Sequence, residues 1–328
     1  MPQKSSAPTR LGLALGSSAM GAFQPLVLVF AFQLGASRLV GGHNPINFCN
    51  GLLFGNAFSL VTLLLLRYAQ RNRSQQRKAW KWVDGARVLL PVLCGALLEA
   101  GTLIALSRVE AIRVAMVLTM TSVVLMVGEA IAKRRWPRLG VSGGVVLVVA
   151  ASLLISSNEA GKEAAQAMAP IGLALLPNTG QTNALLLLGL LALNVIYYQS
   201  SSPLATDLGE LNFSIWQTTL YTLIFLIWAS TTFGFPHIYD LRSPLLWQVM
   251  LLYGAVLSSA YTLLESAALA KAGPLLMSLF EGLLPLLSGL FAWLLLKQPL
   301  TPPLIAGGAA MAVGLACIEL SGSTRTAD

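Results

Sequence analysis

The chain has 328 residues, of which 55% are hydrophobic and only 10% charged, and its formal net charge is +8. Soluble domains carry about 25% charged residues, so this composition excludes a water-soluble globular protein, whose interior could not absorb the apolar surplus. The positive charge does not mark a nucleic-acid partner either, because the basic residues fall between apolar blocks instead of forming a patch.

Apolar blocks reach the ~20 residues that cross a hydrocarbon core of about 30 Å. They predict spans over residues 11–33, 45–66, 87–106, 111–132, 139–157, 183–202, 213–233, 245–267, 273–296 and 303–320. Unbroken runs such as "LLLLGLLALNVIYY" predict helices rather than the short alternating strands of a barrel, since a helix satisfies its own backbone in lipid. The expected fold is therefore an all-α integral membrane protein with ten transmembrane helices. Lys4 and Arg10 precede the first block, but that block is too long for a secretory signal and lacks a small-residue cleavage site. Cys49, Cys94 and Cys317 all fall inside predicted spans without metal spacing or a C-x-x-C pair, and are expected to pack as small apolar residues.

The polar stretch "SSNEAGKEAAQ" separates the fifth span from the sixth. The expected organisation is a tail over 1–10, a first five-helix unit over 11–157, a linker over 158–182, a second five-helix unit over 183–320 and a tail over 321–328. Ten spans put both termini on one side. That side collects 15 of the 21 Lys and Arg residues, including the run from Arg67 to Arg87 and the cluster Lys133, Arg134, Arg135 and Arg138; Arg38, Arg108, Arg113, Lys162, Arg242 and Lys297 fall on the other. The positive-inside bias puts both termini in the cytoplasm, and the absence of an Arg- and Ser-rich presequence favours a bacterial inner membrane over an organellar one.

An internal repeat is visible. "ALSRVEAIRVAM" from Ala105 resembles "ALAKAGPLLMSL" from Ala268, an offset of 163 that also maps Gly144 onto Gly307. Upstream, Asn47-Phe48 matches Asn212-Phe213, and Gln24 falls opposite Gln199. A repeat of five spans must insert in opposite orientations, giving two inverted halves. Such proteins bind solutes near the bilayer midplane and rock between outward- and inward-open states.

Two segments carry a family resemblance: "ALAKAGPLLMSLFEGLLPLLSGLFAWLLLKQPLTPPLIAGGAAMAVGLACIEL" and "ALSRVEAIRVAMVLTMTSVVLMVGEAIAKRRWPRLGVSGGVVLVVAASLLI". The first resembles the ninth and tenth helices of the drug/metabolite transporter superfamily in its form with two EamA-like repeats, through Pro285 at a helix centre, the "LLLKQPL" exit and a glycine-rich last span. The chain departs from that pattern at Ser122, where the family usually has proline, and at Arg135 and Gln298, where it usually has glutamate. The resemblance implies a secondary transporter of small organic solutes by uniport, exchange or proton coupling.

All four aspartates lie in loops or the tail, so acid chemistry within the membrane falls to glutamates. A carboxylate at bilayer depth costs at least about 2.5–3.5 kcal/mol, so it faces the bundle interior, is paired, or carries a proton. Glu265 heads the candidates, because Ser258, Thr262 and Glu265 form one stripe on the eighth span with Tyr261 a turn before. Glu281 shares a face with Ser278 and Ser288 around Pro285, and Glu99 accompanies Thr102 on the third span. Glu129, beside Lys133, and Glu319 are expected at interfaces instead.

Neutral groups extend the pattern: Ser17, Gly21 and Gln24 on the first span, Asn194, Tyr198 and Ser201 on the sixth, Ser214, Gln217 and Tyr221 on the seventh, Thr119 and Ser122 on the fourth, with Gln199 matched to Gln24 by the repeat. Amides and phenols suit a solute with polar and apolar parts. The competing reading is that they only bond neighbouring helices, at about 0.6 kcal/mol each. Arg108 and Arg113, near Glu110, are solvated loop ions or an anion-attracting vestibule. Trp80, Trp82, Trp136, Trp228 and Trp247 fall where interfacial anchors sit, and Gly12-x-x-x-Gly16 and Gly51-x-x-x-Gly55 allow close helix approach.

His43 and His237 are far apart and outside the spans, which leaves little support for metal catalysis, and no phosphate-binding loop of the G-x-x-x-x-G-K-[ST] type occurs. No cofactor is expected. The expected partners are a small-molecule solute and the lipid bilayer, with the chain as a monomer or homodimer. Two other classes stay open: a non-transporting receptor or assembly partner, and a membrane-embedded enzyme acting on lipid, which would need a cluster of His, Asp or Cys at one membrane face.

Overall fold

Chains this rich in Leu, Val and Ala close their backbone hydrogen bonds within each segment, and the computed structural model is predominantly helical, without strands, over its described residues, 7–39, 44–46, 48–70, 82–108, 111–134, 139–156, 179–232, 240–296 and 301–323. In chain order the elements are α1 (Ala7–Ala36), α2 (Phe48–Gln70), α3 (Trp82–Arg108), α4 (Ala111–Lys133), α5 (Leu139–Ser156), α6 (Gly180–Leu208) and α7 (Glu210–Thr232). They are followed by α8 (Pro244–Met250), a π-helical stretch (Leu251–Ser258), α9 (Ser259–Lys271), α10 (Pro274–Glu281), α11 (Leu284–Leu296) and α12 (Pro302–Ser323).

Five stretches are long and apolar enough to cross a membrane: Cys49–Gln70, Gly85–Thr102, Gly180–Leu208, Glu210–Thr231 and Pro244–Lys271; Leu139–Ala151 and Pro302–Ile318 are shorter apolar helices. Large apolar side chains such as Leu65, Leu185 and Ile227 are exposed on these helices, as expected where the surroundings are lipid rather than water. The protein is thus a multi-pass helical membrane protein.

Three expected spans differ from the sequence reading in instructive ways. The sixth was expected to end at residue 202, but α6 continues through Pro203 to Leu208. The lost amide is offset by hydroxyl bonds that dock its last turns on α9, from Ser202 Oγ to Leu269 O (2.9 Å) and from Thr206 Oγ1 to Ala270 O (3.3 Å). The eighth span is one continuous helix, Pro244–Lys271, that widens to π geometry over Leu251–Ser258. Such bulges insert an extra residue into the turn and frequently mark functional segments.

The ninth span, expected as one helix over 273–296, is two, α10 and α11, with a turn at Gly282 and Leu283. Pro285 has no N–H to give the carbonyl of Glu281, so the helix tightens before it: Gly282 N bonds to Leu279 O at 3.1 Å and Leu283 N to Phe280 O at 3.0 Å. The expected face Ser278, Glu281, Ser288 is therefore split, with Ser288 on α11 and the other two on α10.

The chain divides into two compact units, Met1–Ala96 with Ser200–Lys271, and Leu97–Gln199 with Ala272–Asp328. In the first, α2 packs on α7 and on the π segment, and α1 packs on α9. Its core includes Ala31, Ile46, Leu245, Leu246 and Met250. Gly55 does allow the close approach expected of it: a Cβ at Gly254 would lie 2.7 Å from the Gly55 carbonyl, and a Cβ at Gly55 would lie 2.8 Å from the Tyr253 ring. Gly12 does not; among the described residues nothing lies within 4 Å of its would-be Cβ.

In the second unit α5 packs against α12 and α4, and α10 packs on α4. Val145, Val148, Met126, Leu279 and Ile318 form its core. Here Gly144 faces Gly314: a Cβ on either would come within 2.6–2.8 Å of the other's carbonyl oxygen.

Candidate functional site

Polar side chains from three helices of the second unit converge. Asn194 and Tyr198 lie one turn apart on α6, Thr121 and Ser122 on α4, and Ser278 and Glu281 on α10. Asn194 is 2% exposed and its Nδ2 donates to Thr121 Oγ1 at 3.1 Å, tying α6 to α4 inside the unit. The Glu281 carboxyl interacts with the side chains of Tyr198 and Asn194. Glu281 itself is half-buried, whereas Tyr198, Thr121, Ser122 and Ser278 are buried.

The local sequence explains why Glu281 stands where it does. It is the last residue of α10, four residues before Pro285, and so stands where the turn at Gly282 and Leu283 divides α10 from α11. The same acid thus offers its carboxyl and a main-chain carbonyl that has no helical donor at position 285. Ser122, chosen from the repeat as the counterpart of Pro285, instead turns its Oγ back to Thr119 O at 2.9 Å. The adjacent Thr121 is the partner of Asn194. The sequence reading missed it, since nothing in a hydroxyl one position away signals contact with a residue 73 positions on.

Other candidates lie in the first unit. Glu265 of α9 is 4% exposed and accepts a hydrogen bond from Tyr261 Oη at 3.3 Å, so the pair read from the stripe is formed. Thr262 Oγ1 turns back to Ser258 O, and Ser214 Oγ reaches Ser266 Oγ at 2.8 Å and Thr262 O at 3.3 Å, so these hydroxyls bond α7 to α9. Gln217 is buried on α7 and Gln24 is half-buried on α1.

Glu99 on α3 and Gln199 on α6 are exposed and belong to the second unit. Lys133 pairs with Glu129, as expected for an interfacial pair. His43, His237, Glu110, Arg135 and Gln298, most of the expected linker, and the side chains of Arg108 and Arg113 fall outside the described residues.

Two further polar features were not read from sequence. Asn50, fully buried, donates Nδ2 to Asp240 Oδ2 at 2.8 Å and to Pro45 O at 2.9 Å, pinning the start of α2 to the turn before α8. On the opposite end of the same unit, Arg67 bonds Asn212 (2.7 Å), Arg87 pairs with Asp207 (2.9 Å) and Lys271 pairs with Glu210 (2.8 Å), clasping the α6–α7 turn. Among the described residues no group of three His, Cys, Asp or Glu side chains could hold a metal ion.

Residues 182–320 match the EamA-like transporter family. A protein of Synechocystis sp. named as an uncharacterized transporter is 23% identical over 287 residues, covering 86% of this chain and 78% of the relative. A solved crystal structure superposes with a TM-score of 0.62 over 94% of this chain and 95% of its own, at 15% identity, so the two share a fold.

Proposed function

We propose that this chain, whose residues 182–320 match the EamA-like transporter family, is a transporter of the drug/metabolite superfamily that moves a small organic solute across a bacterial inner membrane by alternating access. In this reading ten spans form two inverted five-helix repeats with both termini in the cytoplasm. The ninth span is interrupted at Gly282–Leu283, and the eighth carries the π segment. The positive-inside bias and the offset of 163 between the halves support it.

The observation that carries the proposal is the convergence of Glu281, Asn194, Tyr198 and Thr121, from three helices, on an interrupted membrane helix. Polar groups at that depth cost several kcal/mol if left without partners, so such clusters persist where they serve a pathway. Glu281, Asn194, Tyr198 and Ser122 form the solute-binding region, with Glu99 and Gln199 as further lining of the same unit. Glu265 with Tyr261 is the coupling acid, with Gln24 and Gln217 in its unit.

The test is flux in sealed proteoliposomes of the full chain, using a panel of amines, amino acids, sugars and nucleosides with and without an imposed pH gradient. Solute-dependent flux that rises with the gradient is the expected result. No flux with any member of the panel overturns the proposal and favours a receptor or assembly role.

A further inference from the structure

From the hydrogen bonding of the π segment we infer that Ser259 is a positioning residue, a latch that selects between two registers of α9 and with them two seats for Glu265. In an α-helix the Ser259 N–H would take the carbonyl of Ala255, four residues back. Here it is directed to Gly254 O, five residues back, and to Val256 O. The Ala255 carbonyl is taken instead by the Ser259 hydroxyl, whose Oγ lies 2.5 Å away. One side chain thus occupies the acceptor that its own backbone needs to regain α geometry, and this holds the wide turn open. Gly254 secures the same turn from outside. A Cβ there would stand 2.7 Å from the Gly55 carbonyl oxygen and 2.8 Å from Phe58 Cβ, so the seat on α2 requires glycine.

A π turn holds more residues than the α turn it replaces. Closing it by one residue, with α8 held by Leu245, Leu246 and Met250 in the core, turns α9 by about 100° and advances it by about 1.5 Å. Each residue of α9 then moves into the place of the one after it. In the observed register Leu264 meets α1 at Gly16, and Ser266 Oγ lies 2.8 Å from Ser214 Oγ of α7. Glu265 stands between those two on the helix and so faces the seam of α1 and α7. After the advance Glu265 takes the seat of Ser266 against Ser214, and Leu264 fills the seam.

The far end of α9 tolerates such a step. Its bonds from Ser202 and Thr206 go to main-chain carbonyls, which the preceding residue presents equally well. Ala267, Ala268 and Ala270 keep the side chains there small, and the Lys271–Glu210 pair is partly exposed and weak. An acid with two seats meets two sets of neighbours in turn, as a coupling site under alternating access requires.

The inference rests on reading Glu265 as the coupling acid, so the register is measured without flux. In the full chain with Cys49, Cys94 and Cys317 replaced by serine, two cysteine pairs report the seats: Ser214→Cys with Ser266→Cys for the observed register, and Ser214→Cys with Glu265→Cys for the advanced one. Oxidative cross-linking in micelles is expected to be fast for the first pair and slower but measurable for the second. Ser259→Ala, which frees Ala255 O, should raise the rate of the second pair relative to the first by about 2- to 10-fold, the range for one hydrogen bond. Ser259→Thr, which keeps the hydroxyl, should leave the ratio as it was. Deleting Val256 removes the extra residue and should abolish the second pair alone; it serves as the test if Ser259→Ala does not yield a monodisperse protein.

A second pair that never cross-links, a ratio unmoved by Ser259→Ala, one moved as far by Ser259→Thr, or a second pair that survives the deletion overturns the latch. A ratio that shifts in Ser259→Ala while accumulation driven by a pH gradient in proteoliposomes stays the same overturns the coupling role of Glu265 and leaves the latch standing.

Discussion

Asn194 of α6 gives its amide Nδ2 to Thr121 Oγ1 of α4 across 3.1 Å, with both side chains sealed from solvent. The bond joins two helices and fixes which edge of the amide is left for Glu281. Thr121→Val keeps the shape and removes the acceptor, stranding a buried donor at a cost of about 1–3 kcal/mol. The thermal midpoint of the purified protein in micelles should fall accordingly, while Thr121→Ser, which restores the oxygen, should recover most of it. An unchanged midpoint in Thr121→Val would mean the bond contributes nothing.

Gly144 and Gly314 meet backbone to backbone where α5 crosses α12. A methyl on Gly314 would stand 2.8 Å from the Gly144 carbonyl oxygen and 2.9 Å from Val148 Cγ2, and one on Gly144 would stand 2.6 Å from the Gly314 carbonyl oxygen. Relief requires the helices to separate, so alanine at either position should destabilise by about 1–3 kcal/mol. Gly143→Ala is the control: nothing lies within 4 Å of its Cβ position, and alanine there should be neutral or stabilising by up to about 1 kcal/mol. Melting curves of the three variants check the ranking.

Most of the helix framework could be read from the sequence because hydrophobic length alone specifies a membrane helix. Wherever the chain obeyed that rule, as in α2, α4 and α5, the expected and observed bounds fall within a few residues. What escaped was tertiary. The sixth span was expected to end at residue 202, yet Ser202 and Thr206 hold the turns around Pro203 to α9; Pro285 was expected at the centre of one helix, yet α10 and α11 are separate. The stripes found Glu265 with Tyr261, because those residues are four apart on one helix. They also supplied Asn194, Tyr198 and Glu281 as separate candidates. Periodicity within a helix cannot show that residues on three helices meet, nor that Thr121 rather than Ser122 faces Asn194.

Asn50 should matter more than its small size suggests. Its single amide nitrogen serves both Pro45 O and Asp240 Oδ2 in a fully buried position. Asn50→Ala strands the acidic side chain of Asp240, itself 5% exposed, without that donor, and hydrogen bonds to charged groups contribute about 1.5–3 kcal/mol. The milder change Asp240→Asn keeps an acceptor oxygen in place and should cost less. Chemical denaturation of both variants reads the order, and a larger loss in Asp240→Asn would contradict it.

The ion pairs at the other end of that unit should behave oppositely. Arg87–Asp207 and Lys271–Glu210 are both partly exposed, and such pairs contribute about 0–1 kcal/mol with strong screening by salt. Arg87→Ala should therefore shift the melting midpoint little, and the shift should shrink further when salt is raised from 0.01 to 1 M, where the Debye length falls from about 30 to about 3 Å. A large, salt-independent loss would show that the pair holds the α6–α7 turn in a way its exposure does not suggest.

Glu265 and Glu281 should fail differently when neutralised. Glu265 is sealed at 4% exposure and its carboxyl accepts from Tyr261, so neither water nor solute reaches it unless the first unit loosens. An acid with that access exchanges its proton in only part of a cycle, which suits coupling rather than solute contact. Glu281 is half-buried at a helix interruption, which suits contact. Glu265→Gln is isosteric and can still accept from Tyr261. It should therefore keep solute binding in micelles within about twofold, yet lose accumulation driven by a pH gradient in proteoliposomes, a split between binding and coupling. Glu281→Gln should lose both. If Glu265→Gln accumulates solute as well as the unaltered chain does, Glu265 is a structural acid held by Tyr261, and the proton must be carried elsewhere.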